Sequence, residues 1–181
     1  MTAKRARVDR IAEDKAWFEA FFKAYWSSVY GLLFRLVGEH AEAEDLALES
    51  FWRLYQHASQ LEGEQAQTAW LYRVATNLGL NALRGRKRRQ QYETRAGRQA
   101  MDERAHPDPG AALERSEENA RVRAALAQMR PRAARLLILR HSGLSYAELA
   151  AALGLAPGSV GTLLARAERE FELRYRKTEG R

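Results

Sequence analysis

A chain of 181 residues with 46% hydrophobic content can build one domain or two small ones, and is too apolar for a disordered polymer. Its formal net charge of +7 points to a polyanion as partner, an assignment that an anionic membrane surface would satisfy equally. The absence of cysteine excludes disulfides, a thiolate nucleophile and a cysteine-bound metal, so the cores must hold by apolar packing.

The N-terminal MTAKRARVDR is basic but leads into no apolar signal segment. The most apolar runs, around 31–37 and 136–139, are far shorter than a membrane span and contain or adjoin arginine. No membrane insertion is expected, and the protein is assigned to the cytoplasm. From about Asp14 to Val37, Trp17, Phe18, Phe21, Tyr25, Val29, Leu32 and Leu36 recur at helical spacing and predict a core-facing helix that Gly38 ends. No polar groups converge on this aromatic stripe, so it reads as packing and not as a ligand pocket.

A second helix is expected from Ala41 to His57, with Leu46, Phe51, Leu54 and Tyr55 as its apolar surface and Glu42, Asp45 and Glu49 along one side. The acidic side fits a solvated face or a protein-docking surface. No histidine, lysine or motif loop accompanies it to define an acid and a base, and no catalytic residue is assigned.

The polar LEGEQAQT from Leu61 to Thr68 predicts a loop into a helix that carries WLYRVATNLGLNALRGRKRR, Trp70 to Arg89. At a helical period Leu71, Val74, Ala75, Leu78 and Ala82 form the packing stripe. The opposite face holds Arg73, Asn77, Asn81, Arg84 and Arg88, with Trp70 at its leading end. Guanidinium groups neutralise phosphates, a carboxamide pairs with a base edge through donor and acceptor, and an indole stacks on an unpaired base. Individually each has a plainer reading, as solvated surface or as core for Trp70. Together they suit single-stranded nucleic acid, and the run Arg84, Arg86, Lys87, Arg88, Arg89 exceeds what a helix dipole needs.

Residues 97–110, with the turn His106-Pro107-Asp108-Pro109-Gly110, read as an exposed linker. Within it Glu103-x-x-His106 lacks the second pair that a di-metal bundle needs, and the scattered histidines His40, His57 and His141 offer no zinc spacing. No metal or other cofactor is expected. Helices follow over Glu114 to Met129 and, opened by Pro131, over Arg132 to His141. Ser145 and Glu148 have capping-box spacing at the start of a short helix that Gly154 ends, and Pro157 opens the next, with Val160, Leu164, Ala167 and Phe171 inward. Helix, glycine turn and helix make a helix-turn-helix whose second member offers Ser159, Thr162, Arg166 and Arg169 to a groove.

These residues resemble the extracytoplasmic-function sigma factors of the sigma-70 family, bacterial proteins that direct RNA polymerase to promoters. AEAEDLALESFWRLY is similar to the family's polymerase-docking helix, WLYRVATNLGLNALRGRKRR to its minus-ten segment, and LSYAELAAALGLAPGSVGTLLARAER to its minus-thirty-five reader. The resemblance implies an all-α fold of two small helical domains: residues 1–95 for polymerase docking and minus-ten recognition, a flexible linker over 96–115, and a helix-turn-helix domain over 116–181. It also implies Asp45, Glu49 and Arg53 on the surface that meets the clamp of the polymerase's largest subunit. Trp70, Arg73, Asn77, Asn81, Arg84, Lys87 and Arg88 would meet the melted nontemplate strand, with the loop from Glu62 to Thr68 helping to hold a flipped base. Ser159, Thr162, Arg166 and Arg169 would meet minus-thirty-five duplex DNA. An anti-sigma factor is an expected partner, and no catalysis is implied. The competing reading is a stand-alone helix-turn-helix regulator.

Several positions depart from the family pattern. Leu48 stands where glutamine is common and Asn81 where aspartate is; Gly161 and Leu163 replace basic residues, Glu168 and Glu170 bring acid near the DNA, and Ala156 replaces a polar N-cap, worth about 1 kcal/mol.

Overall fold

The computed structural model describes the backbone of residues 2–95 and 111–179, and side chains over 15–89, at 92 and over 117–178. The expected linker core with its Glu103-x-x-His106 and proline turn lies outside the described residues. Among the described residues every regular element is helical. A first lobe contains α1 (Thr2–Val37), α2 (His40–His57) and α3 (Gly63–Arg95); a second contains α4 (Ala111–Gln128), α5 (Pro131–His141), α6 (Tyr146–Leu153) and α7 (Val160–Glu179).

The aromatic stripe of α1 packs as two ladders at intervals of four. Trp17, Phe21 and Tyr25 meet at ring separations of 5.6 and 4.5 Å, while Phe22 and Trp26 close on Phe51 of α2 at 4.7 and 6.0 Å. Glu39 starts α2 by accepting the N–H groups of Ala41 and Glu42, which satisfies two donors that a helix start leaves without partners.

Two expectations for α3 need correction. The stretch from Glu64 to Thr68 is helix and not loop: Gly63 takes the turn at φ +81°, the good helix formers Glu64, Gln65, Ala66 and Gln67 follow, and Glu64 accepts the Tyr25 hydroxyl at 2.8 Å. Polarity there marked a solvated helix face. The buried stripe is also rotated, running through Leu71, Tyr72, Ala75, Thr76, Gly79, Leu80 and Leu83, with Val74, Leu78 and Ala82 only half-buried. Gly79 permits this rotation, because a Cβ there would lie 2.7 Å from Leu36 Cδ1 and 3.1 Å from Leu33 Cδ2. Both leucines are buried. Gly79→Ala should therefore destabilise the chain by about 1–2 kcal/mol in chemical denaturation, overpacking outweighing the gain in helix propensity.

The buried residues form one cluster that runs through both lobes, from Phe21 to Ala167, and α3 packs against α5 and α6. Beside that contact an apolar cleft of about 400 Å³ separates Leu32, Arg35 and Leu36 of α1 from Leu126, Leu137, Ile138 and His141 of the second lobe. Gly38, at φ +74°, closes α1 beneath Arg123, whose guanidinium carbon would be 2.9 Å from a Cβ there. No single helix among the described residues is long and apolar enough to cross a membrane.

Candidate nucleic-acid interface

The first surface is the polar face of α3. Asn77 is half-buried and Asn81 exposed one turn on, with Arg88 exposed beyond them and Lys87 half-buried. The amides can each offer a donor and an acceptor to a base edge. Trp70 is half-buried against the core and stacks on His57 with ring centroids 5.2 Å apart. Packing therefore holds one side of the indole.

Two arginines of this face serve the contact between lobes. Arg73 Nη1 lies 3.5 Å from the Ala152 carbonyl at the end of α6, and Arg84 Nη2 donates to the Met129 carbonyl at 3.3 Å. Burial, and secondarily the charge of Arg135, lowers the pKa of Arg84. The positive charges of Arg84 and Arg135 thus oppose each other between the lobes. Arg86, counted in the basic run, points elsewhere: it donates to the Val37 carbonyl at 2.7 Å and pairs with Glu42, tying α3 to the corner between α1 and α2.

The second surface is the outer side of α2. Asp45 and Arg53 are exposed, and Arg53 Nε pairs with Glu49 Oε1 at 2.7 Å. Among them stands an apolar ridge of which sequence reasoning named only Tyr55, as part of the helix's apolar surface with Phe51 and Leu54: Leu48, Trp52 and Tyr55 are 47%, 55% and 43% exposed. Trp52 stacks on Tyr55 at 6.0 Å, and Tyr55 meets the edge of Phe18 at 5.1 Å. The signal was available, since Leu48, Trp52 and Tyr55 share spacings of four and three and lie off the stripe of Ala47, Phe51 and Leu54 that reaches the core. A row of large apolar groups left this exposed to water is the kind of surface that binds protein.

The third surface is α6 with α7. The capping box is present: Ser145 Oγ accepts from the Glu148 N–H, and Glu148 accepts from the Ser145 N–H at 2.7 Å. Hydrogen bonds from the Ser145 side chain and backbone hold the Glu148 pKa below its ordinary value against a smaller opposing effect of burial. A depressed folded pKa contributes stability above the unfolded value near 4.3, and that contribution disappears as pH falls through the folded value. Glu148→Ala should cost about 1 kcal/mol at pH 7, and thermal melts should show the gap to wild type closing below about pH 4.

Gly154 turns the chain at φ +59°, and the path bends by 109° between α6 and the segment that begins at Pro157, a crossing typical of a helix-turn-helix and too steep for a helical hairpin. Thr162, Arg166 and Arg169 lie exposed on one side of α7. Ser159 is half-buried in a 3-10 turn over Pro157–Ser159, where its hydroxyl donates to the Ala156 carbonyl at 2.8 Å; no side chain caps that turn. Gly161 is not there for space, because a Cβ would meet only Tyr146 Cε2, at 3.7 Å. Among the described residues no group of three histidine, aspartate or glutamate side chains converges on a metal position.

Family profiles match both lobes: Sigma-70 region 2 over residues 21–89 and Sigma-70, region 4 over residues 119–171. The chain is 30% identical over 175 residues to RNA polymerase sigma-H factor of Pseudomonas aeruginosa, covering 91% of this chain and 90% of that protein. It belongs to the sigma-70 family. Within that family it groups with the extracytoplasmic-function branch, being 29% identical over 171 residues to the sigma factor RpoE of Cereibacter sphaeroides, with 88% of this chain and 91% of that one covered. Its fold is that of the sigma factor RpoE from Bartonella quintana, solved in complex with the anti-sigma factor NepR, at a TM-score of 0.57, 22% identity and coverage of 88% and 96%. This chain is thus a sigma factor of transcription initiation, whose region 2 contains the α2 ridge and the amide face of α3, and whose region 4 contains the helix-turn-helix.

Proposed function

We propose that this sigma factor binds core RNA polymerase through α2, captures the melted nontemplate strand of the minus-ten element on α3 and reads minus-thirty-five duplex with α7. The observation that carries the reading is the coexistence of three surfaces of different chemistry in one chain, in the order of the family's segments. A stand-alone regulator would need only the third. Docking falls to Asp45, Glu49 and Arg53 around Leu48, Trp52 and Tyr55, against the clamp of the largest subunit. Asn77 and Asn81 take an unpaired base, and Arg73, Arg84, Lys87 and Arg88 hold phosphates, with Trp70 bordering the site. Ser159, Thr162, Arg166 and Arg169 enter the major groove.

The protein works in the cytoplasm, catalyses nothing itself and needs no cofactor. Its two domains meet promoter DNA at separate elements. An anti-sigma factor is part of the proposal, supported by fold similarity to a sigma factor solved with such a partner. Copurification from cells that overexpress the tagged chain should recover the polymerase subunits, and mapping of 5′ transcript ends in those cells should reveal new starts sharing two spaced upstream elements. Recovery without polymerase, with no new starts, would refute the proposal.

A further inference from the structure

Glu168 and Glu170 lie on the half of α7 that follows its reading face, where a carboxylate would repel DNA phosphates. The fold sends them in different directions. Glu168 lines the apolar cleft between the lobes. Glu170 turns inward, its side chain 13% exposed, and accepts both the backbone N–H of Arg130 at 2.8 Å and its Nε at 2.9 Å. The first bond caps α5, whose N-cap residue is Arg130 and whose start has no other side-chain cap. The second fixes an arginine that otherwise stands 76% exposed. Burial would raise the Glu170 pKa, but the bonds from Arg130 and the charges of Arg130 and Arg174 prevail and hold it below its ordinary value.

With Nε committed, the remaining guanidinium N–H groups of Arg130 are available to a second acceptor. They border a groove of about 520 Å³ that Arg130 shares with Arg166, Arg169, Arg174 and Lys177, with Leu173 at its side and Glu170 as its one acid. On α7 these residues recur at intervals of three to five and extend the line that begins at Ser159 and Thr162. The line runs past the end of the region 4 match at residue 171. A helix of 20 residues is about 30 Å long, whereas a major groove is only about 8.5 Å deep, so a recognition helix entering at its N-terminal end must pass a phosphate wall with its second half.

We propose that this groove binds the phosphodiester backbone of the upstream duplex, with Arg130 as a phosphate contact and Glu170 as the residue that positions it. The inference rests on the reading of α7 as the duplex reader. It predicts an effect of unexpected sign: removing the acid from the basic groove weakens DNA binding.

The test uses full-length protein assembled with core polymerase. Its probes are a duplex from a promoter mapped by the transcript-end experiment and an unrelated duplex of equal length, titrated between about 50 and 200 mM salt. Arg130→Ala should weaken both duplexes by about threefold to tenfold and reduce the salt slope by about 1, the mark of one lost phosphate contact. Glu170→Ala should weaken them similarly, and the double variant should bind no worse than Arg130→Ala. Tighter binding by Glu170→Ala, or an unchanged slope in Arg130→Ala, overturns the proposal. Arg130→Ala retains the backbone N–H that Glu170 accepts, so it remains decisive even where Glu170→Ala unfolds the second lobe. Arg166→Ala separates the two levels: if it weakens binding while Arg130→Ala does not, only the Arg130 assignment fails, and if neither matters the duplex-reading role of α7 fails. Loss of polymerase affinity without DNA in Arg130→Ala would assign the groove to an acidic protein surface instead and overturn the proposal.

Discussion

Trp52→Ala is expected to weaken association with core RNA polymerase by about 30-fold, equivalent to about 2 kcal/mol, while leaving the free chain folded. The ring is 55% exposed and lies in the middle of the ridge formed by Leu48 and Tyr55, with the Arg53–Glu49 ion pair alongside. Binding energy concentrates in aromatic side chains that a partner removes from water, whereas charges at a rim contribute little affinity and more to association rate. Asp45→Ala should therefore have the smaller effect on the dissociation constant and the larger effect on its salt dependence. A competition titration against a reference sigma factor on core polymerase measures both. Equal affinity of Trp52→Ala and wild type would remove the ridge from the interface.

Locking the two lobes together should lower transcription by more than about tenfold. In the arrangement described here Arg73 and Arg84 are occupied by carbonyls of the second lobe, and Arg84 sits in a partly desolvated position opposite Arg135. In the proposed function a strand of DNA takes those guanidinium groups. The facing cations leave the closed contact with a repulsion that a polyanion relieves, so separation of the lobes and capture of the strand favour each other. The chain contains no cysteine, and Arg35 and His141 are exposed, line opposite sides of the cleft between lobes and belong to none of the three surfaces. Arg35→Cys with His141→Cys, bridged by a bis-maleimide, should transcribe poorly, whereas each single variant treated with the same reagent should transcribe like wild type. Full activity of the bridged protein would show that the lobes need not part.

Much of this was legible in the sequence because helical period, capping and turn residues act locally. The capping box at Ser145 and Glu148, the glycine turn at Gly154 and the buried positions Val160, Leu164 and Ala167 appear where the sequence places them. Family membership was legible for the same reason, carried by three segments in order. What sequence reasoning misjudged depended on contacts between distant residues. The packing stripe of α3 is set by the close approach of Leu33 and Leu36 to Gly79, and pattern alone chose a neighbouring set. Glu170 turns inward because Arg130, 40 positions away, holds it, a contact that no local pattern encodes. Arg73 and Arg84 carried no sign of a partner in the second lobe. The outward direction of Trp52 was legible from its spacing with Leu48 and Tyr55, off the stripe of Ala47, Phe51 and Leu54, whereas its 55% exposure depends on what the rest of the fold leaves uncovered.

Transcription from purified components decides whether this chain gives polymerase a promoter. Core RNA polymerase, the purified chain and a supercoiled template carrying a promoter mapped in vivo should yield one discrete transcript, and permanganate should react with unpaired thymines of the nontemplate strand just upstream of the start. Both signals should vanish when the chain is omitted, and the permanganate signal should fall sharply with Asn77→Ala and Asn81→Ala together. The same transcript and the same open region with core polymerase alone would contradict the account.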